Sequence, residues 1–217
     1  MSQLVQLVGI ASLETLIMVG FSLVFSLVLG FPLGVLLCIT KPSGLMPKPL
    51  LHQILGKIVN ILRSFPFVIL IIVLFPLTRI IVRTAVGTIA TIVPLSIAAA
   101  PFVARIIETA LNEVNQNLIQ AARAMGSTPL QIIVKVLVPE ALPSLVDGIT
   151  LTIINLIGYS AMAGIVGGGG LGDLANRYGY QRFRTDVLIA AVLVILIMVE
   201  LIQFTGSRIS RRINARR

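Results

Sequence analysis

The amino-acid sequence predicts an all-α membrane protein of about five transmembrane helices with a cytoplasmic helical insertion, and three observations carry that prediction. First, 57% of the 217 residues are hydrophobic, 12% are charged and the mean hydropathy is +1.03, which leaves too little polar surface to wrap a water-soluble core of this size. Second, runs such as LVFSLVLG and VLIAAVLVILIMV are apolar on every face, whereas the strands of a membrane barrel alternate apolar and polar residues. Third, the apolar stretches fall into five groups, and one long polar segment at about 108–141 separates the third from the fourth.

In chain order the predicted spans are 16–39, 66–82, 86–107, 142–163 and 187–205, the second being the shortest. The first starts too late, lacks a basic leader and runs too long for a cleaved signal, so the chain is expected to keep its N-terminus. In that span Ser22, Ser26, Gly30 and Gly34 recur every fourth residue and lay a small-residue stripe where another helix can approach. Pro32, Pro66, Pro76, Pro94 and Pro101 each remove a backbone donor, so neighbouring helices or water must meet the freed carbonyls. No repeat at a fixed period and no low-complexity linker is present, and 1–217 reads as one domain.

The 17 Lys and Arg against 8 Asp and Glu give a net charge of +9. In a soluble protein that excess would mark a nucleic-acid footprint, but here it sorts by side of the membrane. Twelve basic residues fall in 41–63, 105–135 and 208–217, and five fall in 79–83 and 177–184. The richer side is the cytoplasmic one, which puts the C-terminus in the cytoplasm and the N-terminus outside, with lipid and no nucleic acid as the surroundings.

Catalytic and cofactor chemistry finds little to work with. The sequence has no G-x-x-x-x-G-K-[ST] phosphate loop and no H-E-x-x-H zinc motif. Its single cysteine, Cys38, builds no disulfide within one chain, and its single histidine, His52, lies in a basic cytoplasmic loop. Gly167, Gly169 and Gly172 satisfy G-x-G-x-x-G, yet they follow a membrane span instead of a strand, so the run 167–170 reads as a tight re-entrant turn and not as a dinucleotide site. Glu200 is the one acid inside the last span, and its charge at the bilayer centre would cost about 2.5–3.5 kcal/mol or more, so it is expected toward the cytoplasmic end.

The polar segment reads as two short helices. The first runs through Leu118 to Met125 and stops at Gly126, suited to the left-handed position after a helix. The second starts at Ser127 or Thr128 as cap, has Pro129 at its first position and is expected to end before Pro139. Leu130, Ile133, Val136 and Leu137 give it an apolar side that must rest on the spans or on another protein. In the fourth predicted span, Gly148, Thr152, Asn155, Tyr159 and Met162 step by four, three, four and three residues. They form one stripe that must face protein or a water-filled cavity, and spacing alone does not choose between packing and a path.

Residues 120–139 resemble the EAA loop of ATP-binding-cassette importer permeases: Glu-Ala-Ala, three residues, Gly, nine residues, then Ile-x-Leu-Pro. Ala121, Ala122, Gly126 and Pro139 match in register, Val136 and Val138 replace the Ile and Leu, and Gln120 stands where Glu is usual. The text from QAARAMGSTPL through GYSAMAGIVGGGGLG to NRYGYQRF, with NILRSFPF before it and LIQFTGSRI after it, is similar to the methionine-importer permeases of that family across essentially the whole chain.

The resemblance implies a type I importer permease fold in the bacterial cytoplasmic membrane. It further implies a homodimer, two copies of a separate ATP-binding subunit that holds ATP and Mg²⁺, and an extracytoplasmic methionine-binding lipoprotein. Gln120, Ala121, Ala122, Arg123, Gly126, Ser127 and Pro139 are then expected to couple to the ATP-binding subunit, and Asn155, Tyr159 and Met162 to line the substrate path. The chain itself would be a non-catalytic translocation subunit without a cofactor of its own. The alternatives are a self-contained channel or ion-coupled carrier, or a related permease for another small substrate.

Overall fold

The computed structural model describes residues 2–215, so Arg216 and Arg217, counted above on the cytoplasmic side, lie outside the described residues. Among the described residues ten α-helices and two π-helical stretches occur, and no strand. Three helices are long and apolar enough to cross a membrane, or up to five if each of two bent pairs is one span.

Helix α1 (Ser2–Thr40) is 39 residues long and starts well before the predicted first span. Its early turns are helical because Leu4, Leu7, Val8 and Ala11 recur at helical spacing and pack on Leu171, Leu174, Val187 and Ala191. The small-residue stripe is a packing device. Gly30 and Gly34 lie so close to α5 (Thr88–Asn112) that a Cβ would come within 2.6 Å of the Ala100 and Ala104 carbonyl oxygens. Pro94 and Pro101 are buried within α5.

The second predicted span, 66–82, is not one helix. Helix α2 (Pro49–Ser64) ends before Pro66, and α3 (Phe67–Val73) leaves it at 100°. Helix α4 (Phe75–Val82) starts afresh with Pro76 in its first turn and ends at Arg83, which has φ 65°. The cause is chemical: Pro76 has no N–H for the preceding turn and its ring would collide with the carbonyl four residues back.

Between α5 and the fourth span come α6 (Gln116–Ala124) and α7 (Pro129–Ile132). Here too the sequence expectation needs correction, because the helix that begins at α7 does not end before Pro139. It widens into a π-helical stretch (Ile133–Leu137) and continues as α8 (Val138–Ile165), with Pro139 in the first turn of α8. A π turn shifts the hydrogen-bond partners by one residue, which lets a proline follow without breaking the rod.

At the far end of α8 the glycine run turns into α9 (Gly170–Leu174), a second π-helical stretch (Ala175–Tyr180) and α10 (Thr185–Asn214). The run is seated on α1 and on the start of α5. Gly170 N–H donates to Glu14 at 2.7 Å, Leu171 N–H to Thr15 Oγ1 at 2.9 Å, and Gly87 N–H to the Gly167 carbonyl at 2.9 Å. Helix α10 leaves most of its apolar surface uncovered, and Glu200, about halfway along it, is exposed as well.

Candidate coupling hairpin and substrate path

The hairpin α6–α7 is built from matched caps. Asn115 Oδ1 accepts from Asn117 N–H at 2.9 Å to start α6. At its end Gly126 takes φ +77°, Ser127 N–H donates to the Ala122 carbonyl at 3.1 Å, and Gly126 N–H donates to the Arg123 carbonyl at 2.9 Å. This paired closure satisfies the last carbonyls and requires the left-handed residue that glycine supplies without strain. Thr128 and Gln131 then cap α7 reciprocally, Gln131 N–H on Thr128 Oγ1 at 3.3 Å and Thr128 N–H on Gln131 Oε1 at 2.9 Å.

One side of the hairpin faces the bundle. Ile119 and Ala122 of α6, with Ile132 and Leu137, are buried in one cluster with Cys38, Leu111 and Leu145. Ile133 and Val136 pack partly against it, whereas Leu130, predicted to be on the covered side, is 70% exposed. The register is set by Ile132, and the outward side carries Met125, Leu130 and Val134, all exposed. Large apolar side chains standing in water beside an ordered turn mark a contact surface.

The predicted coupling residues therefore divide. Gln120, Ala121, Arg123 and Gly126 are exposed, Ser127 and Pro139 are half-buried, and Ala122 is buried against the bundle. Arg123 does more than sit on the surface: its Nη2 donates to the carbonyls of Gly44 at 3.3 Å and Leu45 at 3.2 Å, in the corner that joins α1 to α2. Nearby, Lys41 Nζ donates to Asn112 Oδ1 at 2.5 Å.

The second candidate site is a groove between α5 and α8, roofed by α2 and α3. Its first cavity, about 250 Å³, is lined by Phe67, Leu70, Ala98, Phe102, Asn155 and Tyr159 together with Arg63. The Phe67 and Tyr159 rings stack, with centroids 4.6 Å apart and planes 9° apart. A second cavity of about 320 Å³ shares Arg63 and Phe102 with the first and continues past Arg105, Gly148 and Leu151 to Glu113 and Asp147. A third, about 440 Å³, shares Glu113, Ser144 and Asp147 and opens toward Asn115 and Asn214.

The predicted stripe on α8 is split by these surroundings. Asn155 and Tyr159 come together in the first cavity, and Met162, a turn further on, is 44% exposed. Gly148 is buried where the Ile106 side chain leaves no space for a Cβ, and Thr152 is buried with its hydroxyl donating to the Gly148 carbonyl at 2.8 Å. Gly148 and Thr152 are thus held by packing, Asn155 and Tyr159 face the first cavity, and Met162 lies outside the cavity linings. Counting charges by side missed Arg63 as a groove residue, and the cluster RSFPF, with its arginine, two aromatics and proline, is the signal that was there to use.

Residues 26–217 match the family described as "Binding-protein-dependent transport system inner membrane component". The chain belongs to that family. This inner membrane component is 49% identical over 206 residues to the probable D-methionine transport system permease protein MetI of Vibrio cholerae, covering 95% of this chain and 92% of the relative. It is 52% identical over 151 residues to the D-methionine transport system permease protein MetI of Escherichia coli K12, covering 70% of each. It superimposes on a chain of the MetNI methionine ABC transporter, in an inward-facing native crystal form, with a TM-score of 0.96 at 47% identity, covering 98% of this chain and 99% of that one. The fold is accordingly that of a type I ABC importer permease, as the EAA-like spacing led one to expect.

Proposed function

We infer that this chain is the membrane-spanning permease subunit of an ATP-driven importer of methionine. The observation that carries the reading is whole-chain similarity to methionine permeases at close to half identity, joined to a capped hairpin at 116–132 that exposes Met125, Leu130 and Val134. Two copies form the membrane unit, each docking an ATP-binding subunit through the hairpin residues Gln120, Ala121, Arg123, Gly126 and Ser127, while Ala122 anchors the hairpin to the bundle and Pro139 lies in the first turn of α8. A methionine-binding lipoprotein delivers substrate on the other face. ATP and Mg²⁺ belong to the partner, since this sequence has no phosphate loop.

The chain's own part is mechanical and does not include a chemical step. Closure of the ATP-binding subunits pushes the hairpin as a rigid body, and α8, continuous with α7 through the π-helical stretch, carries that motion to Asn155, Tyr159 and Met162. In this reading the N-terminus is outside and the C-terminus cytoplasmic, which the twelve-to-five basic asymmetry supports. The test is co-expression with an ATP-binding subunit of the methionine-transporter type and reconstitution with the binding protein. The two should copurify and accumulate radiolabelled methionine when ATP is supplied. A chain that purifies alone and passes methionine down its gradient without ATP would be a channel.

A further inference from the structure

Two arginines border the groove, and they differ in one respect. Arg105 is committed: it donates to Glu108 at 2.6 Å and to Asn60 Oδ1 at 2.6 Å. Arg63, in the last turn of α2, forms no ion pair among the described residues, and its guanidinium lies 5.9 Å from the centre of the Phe102 ring. Arg63 is exposed, so this cation stands in the open groove beside the Phe102 ring. A guanidinium there, without an ion pair, keeps its donors available to an anion that enters the groove. The groove's own acids do not meet it: Glu113 accepts from Ser144 at 2.6 Å and Asp147 from Ser210 at 2.9 Å.

Arg63 also marks a boundary. On one side lies the aromatic and aliphatic cavity of Phe67, Leu70 and Tyr159, and on the other the cavity that holds Glu113 and Asp147. An amino acid with an apolar side chain carries its carboxylate on the adjoining α-carbon, which matches an apolar cavity bordered by a cation. A planar guanidinium grips a carboxylate through two parallel hydrogen bonds, and aromatic contact on its face leaves those donors available. We propose that Arg63 binds the α-carboxylate of the amino acid in transit. The side chain of that amino acid enters the Phe67–Tyr159 cavity. This inference rests on the importer reading and adds to it the group that reads the substrate's charge.

The test uses the assembled complex carrying Cys38→Ser and Leu151→Cys, a probe position in the shared cavity. The rate at which a negatively charged thiol reagent labels the new cysteine is followed without binding protein, so that delivery plays no part. L-methionine should slow labelling, and methioninol, which keeps the ammonium and thioether but has no carboxylate, should slow it about tenfold less effectively, the size of one charge-assisted paired contact. Arg63→Gln should abolish the protection by methionine, and Arg63→Lys should retain part of it. Equal protection by methioninol, or full protection by methionine in Arg63→Gln, overturns the proposal, and the first of these comparisons needs no change at Arg63. Failure of the complex with native Arg63 to accumulate methionine would instead overturn the importer reading.

Discussion

The Phe67 ring lies flat against Tyr159, joining the start of α3 to the last turns of α8 at one wall of the groove. The contact ties the short helix that leaves α2 at a sharp angle to the long helix that continues from the coupling hairpin. Removing it should be felt both in stability and in transport. Tyr159→Ala is expected to lose about 1 kcal/mol of ring–ring interaction beyond the area lost, and Tyr159→Phe almost none. Thermal denaturation in detergent checks the first part. Uptake of methionine analogues checks the second, with altered preference in Tyr159→Ala and in Met162→Ala while the complex still assembles.

Gly126 has open space where a side chain would go, yet its φ of +77° is costly for any residue with a Cβ. Gly126→Val should cost about 1–2 kcal/mol locally and distort the turn proposed to face the ATP-binding subunit, whereas Gly126→Asn, tolerant of the left-handed region, should behave almost as the native chain. The ratio of ATP hydrolysed to methionine taken up is the measurement. A rise in that ratio for valine with little change for asparagine is the expected outcome, and equal ratios would take the turn out of the coupling mechanism.

Gly34 and Gly20 are both glycines of α1 but have opposite surroundings. A Cβ on Gly34 would meet the Ala104 carbonyl oxygen at 2.6 Å, and a Cβ on Gly20 meets nothing within 4 Å. Gly34→Ala should destabilise by about 1–3 kcal/mol because the two helices must move apart. Gly20→Ala should be neutral or stabilising by up to about 1 kcal/mol through helix propensity. Melting temperatures of the two variants in one detergent decide the matter.

The orientation proposed from charge can be tested with an impermeant thiol reagent on intact cells. In a Cys38→Ser background, a cysteine replacing exposed Arg182 should be labelled, and one replacing exposed Asn214 should be labelled only after the cells are opened. Labelling of Asn214→Cys in intact cells would reverse the topology.

Much of this architecture could be read from the sequence because hydropathy over twenty residues is a strong signal and cap chemistry is local. The caps at Thr128 and Gly126 and the stripe at Gly30 and Gly34 needed no knowledge of distant partners. The errors lie where proline meets tertiary context. Pro76 split a predicted span, while Pro139, expected to end a helix, was absorbed by a π-helical stretch. Periodicity placed Leu130 inward, but Ile132 holds that position, since a four-residue helix flowing into a wider turn does not keep one register. Arg63 looked like one more cytoplasmic cation because its closeness to Phe102 links positions far apart in the chain.

The hydrogen bonds from Arg123 to the carbonyls of Gly44 and Leu45 link the hairpin to the corner that leads into α2. Helix α2 begins at Pro49, just beyond that corner, and Arg63 is near its tip. Fourteen residues of helix form an arm about 21 Å long, so a tilt of about 10° at the foot sweeps the tip by about 4 Å. A modest push on the outside of the bundle thus becomes, at the groove, a stroke as long as a hydrogen-bonded contact, enough to bring a charged group onto its cargo or to withdraw it.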